Sequence, residues 1–137
     1  MHNPLSETTE RLRNDIIKAI KDARMTTKPL LKEKLLSGEV VYTQNSTGDK
    51  EYHGDCLTRF VSQLVLSLKL GEGWGWNLVQ FSRTQPLIND MSRMYVVPLS
   101  DQVVLTPGGR LDEGTYAYIT NSPCLNSGAT VLCIAPL

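Results

Sequence analysis

The spacing of hydrophobic residues predicts helices in the first third of the chain. From Leu12 to Ala23 the apolar positions recur every three or four residues, so they share one helical face, with mostly charged residues opposite. Ser6, or Asn3, is placed to cap the first turn of this helix. A second short helix is predicted over residues 29–36, PLLKEKLL, and Gly38 would end it.

The clearest helical pattern lies in the middle of the chain. Apolar residues from Leu57 to Leu68 repeat at intervals of three and four, and Gly71 marks the end of the pattern. The opposite face carries Leu66 and Leu70 with few charges. We therefore expect a central helix that is buried on two sides.

Strand patterns fill the rest of the chain. EVVYTQN precedes the polar turn STGDKEY, and the later runs are RMYVVPL, DQVVLTP, TYAYIT and ATVLCIAPL. The last run is apolar on both faces, as is typical of an interior strand. Because helical patterns come early and strand patterns late, residues 1–137 are predicted to form a single α+β domain. In it, N-terminal helices and one central buried helix pack on a mostly antiparallel sheet of about five strands.

Composition and charge exclude several classes of partner. The 137 residues include 14 basic and 14 acidic side chains, so the neutral chain offers no electrostatic surface for duplex nucleic acid or for an anionic membrane. No apolar run approaches the ~20 residues of a membrane-spanning helix, and the N-terminus lacks the apolar core of a signal peptide. Three scattered cysteines suit free thiols in a reducing compartment. We expect a cytoplasmic protein that acts in its producing cell or in a host that it enters.

The segment YHGDC, residues 52–56, places three chemically capable side chains at the start of the central helix: His53, Asp55 and Cys56. The positive end of a helix dipole stabilises a thiolate, so Cys56 is a candidate nucleophile. The structural alternative is that Asp55 caps the helix and Cys56 packs as a small apolar side chain.

A second candidate segment is TNSPCLNSG, residues 120–128. Pro123 restricts the backbone ahead of Cys124, and a rigid turn can hold a thiolate at the fixed distance that zinc requires. The alternative for Cys124 is simple packing within a turn. The sequence leaves both open.

Together, HGD at 53–55 and SPC at 122–124 resemble two half-motifs of the cytidine deaminase-like superfamily, over roughly residues 5 to 128. The resemblance implies a zinc ion held by His53, Cys124 and either Cys133 or Cys56, with Asp55 moving protons to and from the metal-bound water. It also implies a nucleobase or nucleoside as substrate. The family's H-x-E and P-C-x-x-C motifs have glutamate and a second cysteine where this chain has Asp55 and Ser127.

GDC at 54–56 also resembles the papain-like and transglutaminase-like folds, in which a cysteine at a helix N-terminus is the nucleophile. Those folds supply a histidine base from a later strand. Here the two histidines, His2 and His53, both precede Cys56. This resemblance implies the architecture of a cysteine enzyme without its activity.

A non-catalytic binding module is the remaining alternative, as an effector, an inhibitor or an assembly protein. Trp74 and Trp76 follow the central helix in the glycine-aromatic loop GEGWGW, and they point the same way if that segment is extended. Such a pair can form a platform for a ligand or a protein partner, or the edge of a core.

Overall fold

The computed structural model describes residues 2–25 and 40–137. The predicted helix over residues 29–36 lies outside the described residues. Two helices are described, α1 (Glu7–Lys21) and α2 (Asp55–Ser67). The strands are β1 (His2–Pro4), β2 (Arg24–Met25), β3 (Val41–Gln44), β4 (Lys50–His53), β5 (Trp74–Gln80), β6 (Gln85–Pro86), β7 (Met94–Pro98), β8 (Val103–Thr106), β9 (Gly109–Leu111), β10 (Thr115–Ile119), β11 (Cys124–Leu125) and β12 (Thr130–Pro136).

Helix α1 follows its predicted pattern. The Ser6 hydroxyl accepts a hydrogen bond from the backbone N–H of Thr9 at 3.2 Å, so Ser6 is the N-cap. Leu12 and Ile16 are buried toward the sheet. The Thr9 hydroxyl meets the hydroxyl of Ser67 at 2.7 Å, which joins the start of α1 to the end of α2.

Helix α2 differs from its prediction in two ways. Leu57, Val61 and Leu64 are buried, but Leu66 is 71% exposed, so the expected burial on two sides is wrong. The reason is that α2 lies in an outer layer with solvent above it. Gly54 occupies the N-cap position with a φ of 149°, a value that favours glycine, and no side chain among the described residues caps this helix.

No helix in the described part of the chain has the length and apolarity needed to cross a membrane.

The strands form two sheets. The larger has the order β1-β10-β7-β12-β5-β4-β3-β2, and the smaller has the order β6-β11-β8-β9. Every pair is antiparallel except β2 with β3. The α+β class and the mostly antiparallel pairing are confirmed, while the expected single sheet of about five strands is too small. Strands of two or three residues, such as β6 and β11, are too short to leave a periodic pattern in the sequence.

The large sheet separates two hydrophobic cores. On one face, which we call the helix face, Leu78, Leu132 and Ile134 pack with α1 and α2. On the other face, Val131 and Cys133 pack with the small sheet. Strand β12 pairs with both β5 and β7, as expected for an interior strand, and its alternate residues serve both cores. The described residues therefore form three layers: helices, large sheet and small sheet.

Candidate functional site

The residues of the predicted zinc site lie on separate elements. His53 ends β4, Cys133 lies in the middle of β12, and Cys124 begins β11 in the small sheet. Asp55 is exposed at the first position of α2. Among residues 2–25 and 40–137, no group of three or more His, Cys, Asp or Glu side chains is arranged to hold a metal ion. Zinc binding by this chain stays a prediction from its sequence.

His53 is half-buried on the face of the large sheet opposite the helices. Its Nε2 atom lies 3.5 Å from the hydroxyl of Thr43 on the neighbouring strand, which is the outer limit of a hydrogen bond. With Gly54 and Asn77 it lines a shallow gap of about 190 Å³ between β4 and β5. The imidazole is therefore accessible from this gap.

Cys133 faces the core between the two sheets. Burial raises the pKa of its thiol to about 12, because the low-polarity surroundings disfavour the charged thiolate. At neutral pH the metal-free thiol keeps its proton. To act as a zinc ligand it would have to lose that proton on binding.

Cys56 and His53 line different pockets. It is the second residue of α2, is half-buried, and lines a pocket of about 500 Å³ with Asp15 and Lys18 of α1 and with Phe60. His53 lines the other gap, between β4 and β5. The candidate nucleophile and the nearest histidine in sequence thus open onto different pockets.

The residues around Cys124 have a structural role in the described chain. The amide N–H of Leu87 donates to the carbonyl of Pro123 at 2.9 Å. The side chain of Asn126 accepts from the amide of Val104 and donates to the carbonyl of Gln102, both at 2.8 Å, so it extends the pairing of β11 with β8. Pro123 thereby attaches this segment to the residues that follow β6, and Asn126 attaches it to the start of β8.

Asn89 is a buried polar residue that the sequence pattern did not single out. Its Nδ2 donates to the carbonyl of Asn121 at 2.8 Å and to that of Ile119 at 3.3 Å. Its Oδ1 is buried without a hydrogen-bond partner among the described residues. An asparagine in the mixed segment LINDMSR gives no signal of burial, because the residues whose carbonyls it binds lie some 30 positions later in the chain.

Asp49 is the second unexpected buried residue, since STGDKEY was predicted only as a polar turn. It is 6% exposed. Its carboxylate accepts hydrogen bonds from Asn45 and Thr47 in its own turn, and from Ser82 and Gln85 in the β5–β6 connection. Burial alone would raise the pKa of this carboxyl, but these hydrogen bonds outweigh it and lower the pKa to about 2. Asp49 is therefore ionised and structurally saturated.

A cleft opens beside Asp49 on the face of the large sheet that is opposite the helices. It lies next to the small sheet, whose strand β6 contributes Gln85 and Pro86 to its lining. We call it the sheet cleft, and its volume is about 320 Å³. Polar and apolar side chains line it in equal number. The polar lining is Thr43, Gln44, Asn45, Asp49, Glu51, Asn77 and Gln85, and the apolar lining is Val79, Phe81, Pro86, Leu87, Ile88, Met94 and Cys133.

An aromatic cluster occupies the helix face at the end of the large sheet. Tyr118, Tyr95, Ile134 and Trp76 are register partners across β10, β7, β12 and β5. The Tyr95 ring contacts three other aromatic rings at centroid distances of 4.9–5.9 Å. We call the following set the aromatic surface: Trp74, Trp76, Tyr95, Tyr116, Tyr118 and Arg93.

The two tryptophans lie in strand β5 rather than in the loop that the glycines predicted. Both belong to the helix face and are half-buried against its core. Pairing of β5 with β12 extends the strand back to Trp74, and it places both indoles on one side. The Arg93 guanidinium lies 5.9 Å from the ring centroid of Trp74.

The chain matches no known family model, no curated protein and no solved structure. Its resemblance to the deaminase-like superfamily therefore stays a prediction that depends on HGD and SPC. The resemblance of GDC to papain-like folds has the same standing.

Proposed function

We propose that this protein is a binding module that recognises a protein partner through the aromatic surface. The observation that supports this is one register row of the large sheet. Three of its four positions are aromatic, in Tyr118, Tyr95 and Trp76, and the rings stay partly exposed where helices α1 and α2 do not cover the sheet.

The composition of this surface matches that of energetic centres in protein interfaces. Tyrosine, tryptophan and arginine are enriched at residues whose truncation costs the most binding energy. The hydroxyls of Tyr95, Tyr116 and Tyr118 have no hydrogen-bond partner within the described part of the chain, and none of them is buried. They are available to a partner's backbone or side chains.

The geometry of the rings also favours recognition. Tyr95 is held by Trp74 at 5.5 Å and by Tyr118 at 4.9 Å, so its orientation is set before a partner arrives. Side chains that are already ordered lose little rotamer entropy on binding. A preformed patch of this kind supports binding without conformational change.

Zinc-dependent deamination of a nucleobase or nucleoside stays a prediction from the sequence, with His53, Cys124 and Cys133 or Cys56 as ligands. Metal analysis of the purified protein tests it separately from partner binding. About one zinc per chain, lost in a His53→Ala variant, would make the deaminase interpretation the better one.

Recognition of the partner is tested by substituting two exposed residues, because such substitutions preserve the fold. Wild-type protein is used to capture partners from the cells that produce it, and the identified partner is purified for calorimetric titration. Tyr118→Ala and Arg93→Ala are each expected to raise the Kd at least ~10-fold. Leu66→Ala and Arg110→Ala remove exposed side chains elsewhere and are expected to leave the Kd within about twofold.

The result that overturns this proposal is a partner whose Kd is the same for wild type, Tyr118→Ala and Arg93→Ala. Sedimentation velocity of the purified chain provides a second test, which asks whether the protein forms a dimer through the aromatic surface. A dimer that Tyr118→Ala dissociates would mean that a second copy covers the aromatic surface, and that result would also overturn recognition of a different protein there.

A further inference from the structure

We propose that the sheet cleft is a second binding site, and that it takes a small primary amine with a short apolar body. The cleft and the aromatic surface lie on opposite faces of the large sheet, so this inference does not depend on the proposed function. Its support comes from the shape of the cleft, from the charges that line it and from the network that holds it open.

The size and floor of the cleft suit a small organic ligand. Cavities that bind such ligands begin at volumes near ~300 Å³ and combine an apolar floor with a few polar groups. Here the volume is about 320 Å³. Val79 and Cys133 lie on neighbouring strands at the floor, Met94 is buried beside them, and Ile88 is 78% exposed at the mouth. An aryl or alkyl group would bury this apolar surface.

The charges that line the cleft are all of one sign. Asp49 and Glu51 are carboxylates, and none of the described lining residues is lysine, arginine or histidine. The chain as a whole is neutral, so this excess is local. Glu51 is exposed and forms no ion pair within the described residues. A cation placed there would be attracted by both carboxylates, whereas an anion would be repelled.

The polar lining also presents oxygen acceptors for an ammonium group. The side chains of Thr43 and Asn77 lie on the strands that flank Glu51 and also line the cleft. An ammonium has three N–H donors. The carboxylate of Glu51, the Thr43 hydroxyl oxygen and the Asn77 amide oxygen can each accept one of these hydrogen bonds. A primary amine is therefore favoured over a quaternary ammonium, which has no N–H to donate.

The cleft is preformed, because Asp49 fixes its edge. Asp49 accepts from Ser82 N at 2.8 Å and from Gln85 Nε2 at 2.9 Å, so it joins the β3–β4 turn to the β5–β6 connection. Its oxygens are occupied by these bonds, and it acts on a ligand through its charge alone. The carboxylate of Glu51 is therefore the one that contacts the ammonium group of the ligand. A site that is built before binding loses less free energy to ordering.

The experiment is an NMR titration of the isotope-labelled full chain with benzylammonium. Benzyl alcohol is the neutral probe and benzoate is the anionic one. We expect saturable shifts of the amides of Glu51, Asn77, Val79 and Ile88 with benzylammonium, weaker binding of the alcohol and none of benzoate. Equal affinity for the amine and the alcohol, or shifts confined to other residues, would overturn the inference.

Three variants separate charge from shape. Glu51→Gln is expected to weaken benzylammonium binding roughly fivefold or more, while Glu72→Gln, which removes an equal exposed charge elsewhere, has no effect. Asn77→Phe places a ring in the cleft at an exposed strand position and is expected to abolish binding. Thermal unfolding confirms that each variant is folded. Unchanged binding in folded Glu51→Gln or in folded Asn77→Phe contradicts the assignment.

Discussion

Asp49 illustrates how the surroundings of one residue decide its chemistry. An aspartate in a polar turn is ordinarily solvated and available as a base. Here donors from its own turn and from residues 33 and 36 positions away saturate it together, and its pKa falls to about 2. The same carboxylate that would serve catalysis in another context serves folding in this one.

The Asp49→Asn variant is expected to lose about 2 kcal/mol of unfolding free energy at pH 7, measured by urea denaturation. An amide keeps only one of the two acceptor oxygens, and in either orientation its NH2 group faces the Gln85 Nε2 donor. It also carries no charge to stabilise the remaining donors. Asp101→Asn is the matched control at an exposed site, and its expected change is within ~0.5 kcal/mol.

The pH dependence of this difference has a definite sign. The folded pKa lies below the ordinary value of 3.8, so the unfolded chain binds more protons between about pH 2 and pH 4. The contribution of Asp49 is complete above that window, and it is lost as the pH falls through 2. The gap between wild type and Asp49→Asn should therefore narrow toward pH 2. A gap that is constant with pH would contradict this account.

Cys133 is expected to be the least reactive of the three thiols. Burial raises its pKa to about 12, so at pH 8 only about one molecule in 10⁴ carries the thiolate. Alkylation by iodoacetamide, followed by peptide mass spectrometry, should modify Cys133 at least ~100-fold more slowly in folded than in urea-unfolded protein. Rapid alkylation of the folded chain at Cys133 would be inconsistent with a buried thiol.

At the scale of the elements, a buried arginine, Arg13, attaches α1 to the large sheet. The Arg13 guanidinium donates to both carboxylate oxygens of Glu10, to Glu113 and to the carbonyl of Pro98. Burial by itself lowers the pKa of Arg13, but the two carboxylates outweigh it and the pKa is raised. One side chain thus connects α1 to the end of β7 and to the segment before β10.

Arg13→Ala is expected to lower the free energy of unfolding by about 2–4 kcal/mol, because it leaves Glu10 and the Pro98 carbonyl without their donor. Arg13→Lys should recover part of this, since lysine keeps the charge but not the two-pronged geometry. Arg11→Ala, two positions away and exposed, is the control, with a change within ~0.5 kcal/mol. Equal unfolding midpoints for Arg13→Ala and Arg11→Ala would show that the arginine does not hold the helix.

Elements with a long apolar period were predictable, and short ones were not. The repeats at Leu57–Leu68 and the run ATVLCIAPL gave α2 and β12 correctly. The two-residue strands β6 and β11 exist because β11 pairs with both β6 and β8. In these pairings Cys124 lies opposite Pro86 and Thr106, which are about 20–40 positions away in the sequence. Local propensity contains no information about such pairings.

At the scale of the whole molecule, the two cores share one sheet, so we expect them to unfold together. Trp74 and Trp76 report on the helix face by fluorescence, and thiol labelling of Cys133 reports on the core beneath the small sheet. The two urea transitions should coincide. Leu125→Ala, at a fully buried position of the small sheet, should move both midpoints down by the same amount. Labelling of Cys133 before the fluorescence change would mean that the small sheet opens separately.

The candidate sites were predictable to different extents at this scale. Trp74 and Trp76 were recognised from their spacing, but Tyr95, Tyr116 and Tyr118 join them only through the pairing of β10, β7 and β12. The sheet cleft had no signal at all, because its lining residues range from Thr43 to Cys133 along the chain. A site assembled from strand order is invisible to motif spacing.

The amino-acid sequence by itself determined the α+β class, both described helices and strands β3, β7, β8, β10 and β12, because each depends on residues a few positions apart. It offered both Ser6 and Asn3 as caps of α1. Only the tertiary structure decided which short strands pair, that a second sheet exists and that Asp49 is buried. These outcomes depend on contacts between residues tens of positions apart, and the free energy of such contacts is set by their partners rather than by local pattern.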